Sequence, residues 1–236
     1  NALTPTLVNE LIVGLETASA DPQVGAIVLT GSGGAFCAGA DLASFQGTSA
    51  STSEIPHRGG FVELNLAFQS VGKPVIARVE RYALAGGLGL MCACQFAIAE
   101  DTASFGTPEI DRGIFPMMIM ANIFRLIPRR KGLELVLLGE RIAAKEAAHI
   151  GLINRAVPPE ELDDAVHKLA SALANKAPNA MRIGLNAFYT QSDQDFETGL
   201  RYLETELQRC LQSPDALEGI TAFLEKRPPK WPPREH

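Results

Sequence analysis

Apolar residues along this chain recur at two different spacings, and the alternation between them outlines a fold. Leu7, Val8, Leu11, Ile12 and Leu15 fall three or four apart, the repeat of one helix face. Thr4-Pro5 ahead of them offers a hydroxyl N-cap and a proline at the first helical position, and Asp21-Pro22 ends the run. The apolar stretch Ala26 to Thr30 then reads as a strand. Phe61, Leu64, Phe68 and Val71 return to helical spacing before a second strand, Pro74 to Val79. A short apolar helix, Leu88 to Cys94, leads into a third strand at Gln95 to Ala99, and Ser104-Phe105-Gly106 reads as a short fourth. Gln46 to Glu54 is small, polar and turn-rich, the composition of a mobile loop.

Strands alternating with helices predict βαβ units and a mainly parallel sheet, so the fold class is α/β. From Pro158 onward the character changes. Helical patterns follow one another at 159–176, 179–189, 195–212 and 214–225 with no strand between them. The expected organisation is a core over residues 1–155 and a helical C-terminal region over 156–236, without a flexible linker.

Composition narrows the function classes. With 236 residues, 46% of them hydrophobic and 20% charged, the chain has the profile of an ordinary globular domain. No apolar run reaches membrane-spanning length; the longest, Gly113 to Ile127, is broken by Pro116, Asn122 and Arg125. A net charge of −6 speaks against a broad nucleic-acid surface, which needs clustered cations. One basic cluster, Arg125 with Arg129-Arg130-Lys131, is either a solvated helix end or a place for an acidic partner. Cys37, Cys92, Cys94 and Cys210 have neither disulfide-framework nor zinc-site spacing, so no metal is expected. Reduced cysteines and no visible signal peptide point to a cytoplasmic location. Gly87-Leu88-Gly89 lacks the third glycine of a dinucleotide fingerprint, and nothing matches a P-loop or a nucleophile elbow. His149 and His167 fall on helical surfaces.

Two turns remain that carry chemistry. Ala35-Phe36-Cys37-Ala38-Gly39-Ala40-Asp41-Leu42 and Ala85-Gly86-Gly87-Leu88-Gly89-Leu90 each follow a strand, and their residues are too small to block the main chain. Two such turns facing one another can aim two backbone N–H groups at one oxygen, the minimum for stabilising charge that develops on a carbonyl. Gly106-Thr107-Pro108-Glu109 adds a carboxylate on a proline-fixed turn after a short strand.

In their order and spacing these pieces resemble the crotonase (enoyl-CoA hydratase/isomerase) superfamily, and the resemblance runs from Asn1 to Pro228. It implies a crotonase-like core with a helical C-terminal trimerisation region, and residues upstream of Asn1. It also implies an acyl-CoA thioester as substrate, with coenzyme A entering as part of it and no separate cofactor. The oxyanion donors would be the N–H groups of Ala38 and Gly86, with Ala40, Asp41 and Leu42 shaping the turn against CoA and Glu109 moving the proton. The basic cluster then becomes a candidate for CoA phosphates. A homotrimer or a dimer of trimers is expected, with neither nucleic acid nor membrane as partner.

The chain also departs from the pattern. Hydratases of this family use a second glutamate, three residues after the oxyanion glycine, where this chain has Gly89. The dienoyl isomerases carry an aspartate where it has Met117, and the family's glycine-rich turn is replaced by Pro116-Met117-Met118-Ile119-Met120. Those apolar residues are expected to serve the core or a drier pocket wall. A single carboxylate favours double-bond isomerisation or a non-standard hydratase. The rival from another class is a catalytically silent CoA-binding or scaffolding homologue.

Overall fold

A computed structural model describes residues 1–41 and 55–233. The 46–54 loop therefore lies outside the described residues, as does Leu42. Helix α1 (Pro5–Ala20) begins as its sequence predicts, with the Leu7 N–H donating to Thr4 Oγ1 at 3.1 Å. Its C-terminal end has a device that sequence reading missed. Lys73 is buried, and its ammonium donates to the carbonyls of Ala18 and Asp21 at 2.5 Å each, a cation on the last turn of a helix.

Strands β1 (Ile27–Thr30), β2 (Val75–Val79), β4 (Phe96–Glu100) and β7 (Arg155–Val157) form a parallel sheet in the order β1-β2-β4-β7. In register, Ile27 pairs with Val75, Ile76 with Phe96 and Ile98 with Arg155. Strand β2 is central and buried on both faces. Val75, Ala77 and Val79 join the main core with Leu64, Phe68, Leu88 and Met91, while Ile76 and Ile98 pack on Leu162 and Val166 of α7 (Leu162–Ala174). The strand period of two thus sends alternate residues to two helical layers.

A second sheet is smaller. It joins β3 (Tyr82–Leu84), β5 (Ser104–Gly106) and β6 (Ile142–Ala143), with β3 and β5 parallel and β6 antiparallel. Helices α2 (Phe61–Ser70) and α3 (Gly86–Ala93) lie where the apolar spacing places them. Helices α4 (Met117–Leu126), α5 (Arg129–Leu138) and α6 (Ala144–His149) complete the region before β7. Beyond α7 come α8 (Pro178–Gln191), α9 (Phe196–Leu211) and α10 (Pro214–Leu224), close to the helical patterns read from sequence. No helix among the described residues is long and apolar enough to cross a membrane.

Candidate active site

The two small-residue turns meet because the first runs beside β3. Cys37 bridges Ala83 in parallel, accepting from the Leu84 N–H at 2.9 Å and donating to the Tyr82 carbonyl at 3.3 Å. That register brings Gly39 against Ala85. A Cβ on Gly39 would lie 2.7 Å from Ala85 Cβ and 3.1 Å from Gly86 N, and Gly39 also has φ +103°. Glycine is required there on both counts. Gly87 is equally confined, since a Cβ would meet the Cys37 carbonyl oxygen at 2.5 Å.

Ala85 takes φ +49°, ψ −130°, a conformation that L-residues rarely adopt and that stores roughly 1–3 kcal/mol of strain. Its geometry explains the strain. The Ala85 carbonyl turns down into α3 and accepts from Leu88 and Gly89 at 2.9 and 3.2 Å. Across a trans peptide the N–H lies opposite the carbonyl, so the Gly86 N–H points out of the helix. Neither it nor the Ala38 N–H finds an acceptor among the described residues. Ala38 and Ala40 are exposed at the mouth of the turn, and the Asp41 N–H donates to the Leu3 carbonyl at 3.3 Å.

Glu109 reaches the same end of the small sheet. Gly106 pairs with Leu84, and its carbonyl accepts from the Ala85 N–H at 2.9 Å. Three residues on, Glu109 is fixed by its own backbone: its carbonyl accepts from Arg112 at 3.0 Å and Ile114 at 3.1 Å. Thr107, fully buried, anchors the segment by donating from Oγ1 to the Leu135 carbonyl at 2.8 Å. Glu109 Oε2 is buried with no hydrogen-bond partner. Burial pushes its carboxyl above the ordinary glutamate value, against smaller opposing effects of its own backbone and Arg112. Ala38, Gly86 and Glu109 thus leave the carboxyl ends of adjacent parallel segments, the usual crevice of such sheets.

The wall beside them differs from the expected one. Of the apolar run after Pro116, Ile119 alone is fully part of the core; Met117 is 63% and Met118 55% exposed, so a general core role for the run is not what the fold gives them. The basic cluster is split by the Pro128 turn. Arg125 pairs with Asp193 at 2.7 Å, and Lys131 with Glu134 and Glu146 at 3.4 and 3.0 Å. A cavity of about 810 Å³ lies at the opposite end of α3 between Cys92, Asn122, Tyr189 and Phe196. It touches none of Ala38, Gly86 and Glu109.

The sequence profile of the enoyl-CoA hydratase/isomerase family matches residues 1–234. Carnitinyl-CoA dehydratase of Salmonella paratyphi A is 37% identical, over 89% of this chain and 82% of that protein. An enoyl-CoA hydratase crystal structure from Mycobacterium smegmatis superposes with a TM-score of 0.88 at 34% identity, covering 98% of this chain and 90% of that one. The enoyl-CoA hydratase structure from Bacillus anthracis gives 0.86 at 31% identity, over 98% and 90% of the two chains.

Proposed function

Because this chain belongs to the enoyl-CoA hydratase/isomerase family, an enzyme family acting on acyl-CoA thioesters, we propose that it shifts the double bond of an enoyl-CoA with one carboxylate as proton carrier. The thioester oxygen sits between the N–H groups of Ala38 and Gly86, which have no competing acceptor and therefore donate fully as charge grows on it. Glu109 removes a proton from C2 of the 3-enoyl thioester. The electron pair moves into the dienolate held at the oxyanion, and the same carboxyl returns the proton at C4. The double bond ends between C2 and C3, with nothing gained or lost.

One observation carries this reading: Glu109 Oε2 is buried with no hydrogen-bond partner, three residues beyond Gly106, whose carbonyl accepts from the Ala85 N–H. A base desolvated in this way holds its proton at higher pH and transfers it more readily. Ala40 and Asp41 border the mouth where the CoA portion enters, and coenzyme A is part of the substrate. The assembly is a homotrimer or a dimer of trimers, in the cytoplasm.

The test is α-proton exchange in heavy water across a panel of acyl-CoAs. Glu109→Gln should keep thioester binding and lose exchange by about 10²–10⁴-fold, the usual worth of a general acid–base group. Exchange within a few-fold of the parent would remove Glu109 from the mechanism. Binding without any exchange in the parent protein would favour the silent CoA-binding homologue.

A further inference from the structure

Gly89 follows Gly86 by three residues, and positions i and i+3 of a helix share a face. Each helical Cβ also tilts toward the N-terminus, so a side chain at 89 would cover the first turn of α3, where the Gly86 N–H emerges. That space is already filled. A Cβ on Gly89 would lie 2.1 Å from Cγ2 and 2.7 Å from Cβ of Ile119. A carboxylate-bearing side chain at 89 has no room while Ile119 stands there.

Ile119 is only 4% exposed and is held firmly. One turn further along α4, Ile123 is fully buried in the main core. Asn122 ties α4 to its neighbours, donating from Nδ2 to Asn65 Oδ1 at 2.6 Å and to the Gly89 carbonyl at 3.4 Å. The carbonyl of Gly89 is therefore engaged, and the side chain that Ile119 lays over Gly89 is purely apolar. A water molecule needs two to four polar partners to be held.

We infer that Ile119 is a specificity-determining residue: its side chain makes the wall over the first turn of α3 dry and keeps water from the β-carbon of the bound acyl group. This rests on Glu109 as the proton carrier. Isomerisation needs only the proton that Glu109 takes from C2 and gives to C4. Hydration needs a bond from a water oxygen to C3, with the water's proton passing to the Glu109 carboxylate and on to C2. Ile119 removes the water and leaves the first route.

The probes are a six-carbon 2-enoyl-CoA and the matching 3-enoyl-CoA, assayed in ¹⁸O-labelled water. Ile119→Ala should raise water addition relative to isomerisation by about tenfold or more, the scale on which a few methylenes discriminate in a pocket. Thermal unfolding must first show the variant folded. If it is not, Ile119→Thr, which keeps the branching at Cβ and adds a hydroxyl that can hold water, serves for the same measurement. A folded variant whose ratio stays within twofold of the parent would overturn the inference. So would a parent enzyme that adds water as fast as it isomerises. Glu109→Gln, run alongside, separates the two ideas. Isomerisation surviving there removes the proton-carrier reading; its loss there, with an unchanged ratio in Ile119→Ala, removes only the wall.

Discussion

At the scale of single residues, the site is a set of groups left unsatisfied by the fold around them. Ala85 carries backbone strain next to a Gly86 N–H that has no acceptor among the described residues, and Glu109 carries a desolvated carboxyl. The second cost is visible in pH. Unfolded, Glu109 titrates near the ordinary value of 4.5; folded, burial raises it. Between those two values the native state binds more proton than the unfolded one, so this residue's contribution to stability is lost as pH rises through the folded pKa. Glu109→Gln should therefore be more stable than the parent at neutral pH, and the difference should close as pH falls below the ordinary glutamate range. Chemical denaturation of both proteins from acid to neutral pH measures this. Equal stabilities throughout would mean that Glu109 is not desolvated. Proton exchange by the parent should rise with pH through the same raised value. The proline-fixed turn of Glu109 and the small residues around Ala38 and Gly86 stand out in the sequence, but it is the family resemblance that makes these three residues candidates. Ile119 does not stand out. The role proposed for it rests on a contact between α3 and α4, and no spacing within either helix announces that contact.

At the scale of elements, local signals located what local forces hold. Thr4-Pro5 announced α1, and Ser213 likewise caps α10 by accepting from the Ala216 N–H at 3.3 Å. Strands β3, β6 and β7 span three, two and three residues, too few for a period to show, and of the strands this short only β5 was read from the sequence. Helix α4 escaped notice because Pro116 precedes it with no side-chain cap. Long-range caps were equally invisible. Asp215 of α10 is buried and accepts from the Asn179 and Ala180 N–H groups at 2.7 and 3.0 Å, closing the first turn of α8, and from Asn179 Nδ2 at 2.9 Å. Asp215→Ala removes that acceptor from buried donors and should cost about 3 kcal/mol, from a lost cap and a desolvated donor. Thermal unfolding should shift down by on the order of 10 °C, with Asp215→Asn losing less. A shift under a degree or two would mean that solvent reaches the first turn of α8 and replaces the carboxylate.

At the scale of the whole molecule, the last two helices leave rows of large apolar side chains exposed. Along α9, Phe196, Leu200, Leu203, Leu207 and Leu211 fall three or four apart, each 36% to 86% exposed. On α10, Leu217, Ile220, Phe223 and Leu224 repeat the pattern. Scattered apolar side chains on a surface are ordinary, but rows of them along two helices are the pattern of an interaction face. A second copy of the same chain is the occupant that the trimer expectation supplies, and this apolar stripe gives it a physical reason. Light scattering should find three chains of 25.3 kDa, about 76 kDa, or twice that for a dimer of trimers. Leu207 and Leu211 lie on the stripe but outside the cavity lining, so Leu207→Asp with Leu211→Asp changes the outer face alone. Charges placed in a buried contact without partners cost several kcal/mol each, enough to separate the subunits at micromolar concentration. The double variant should elute as a folded monomer. A parent protein that is itself monomeric at tens of micromolar would end the trimer proposal, and the stripe would then need another partner.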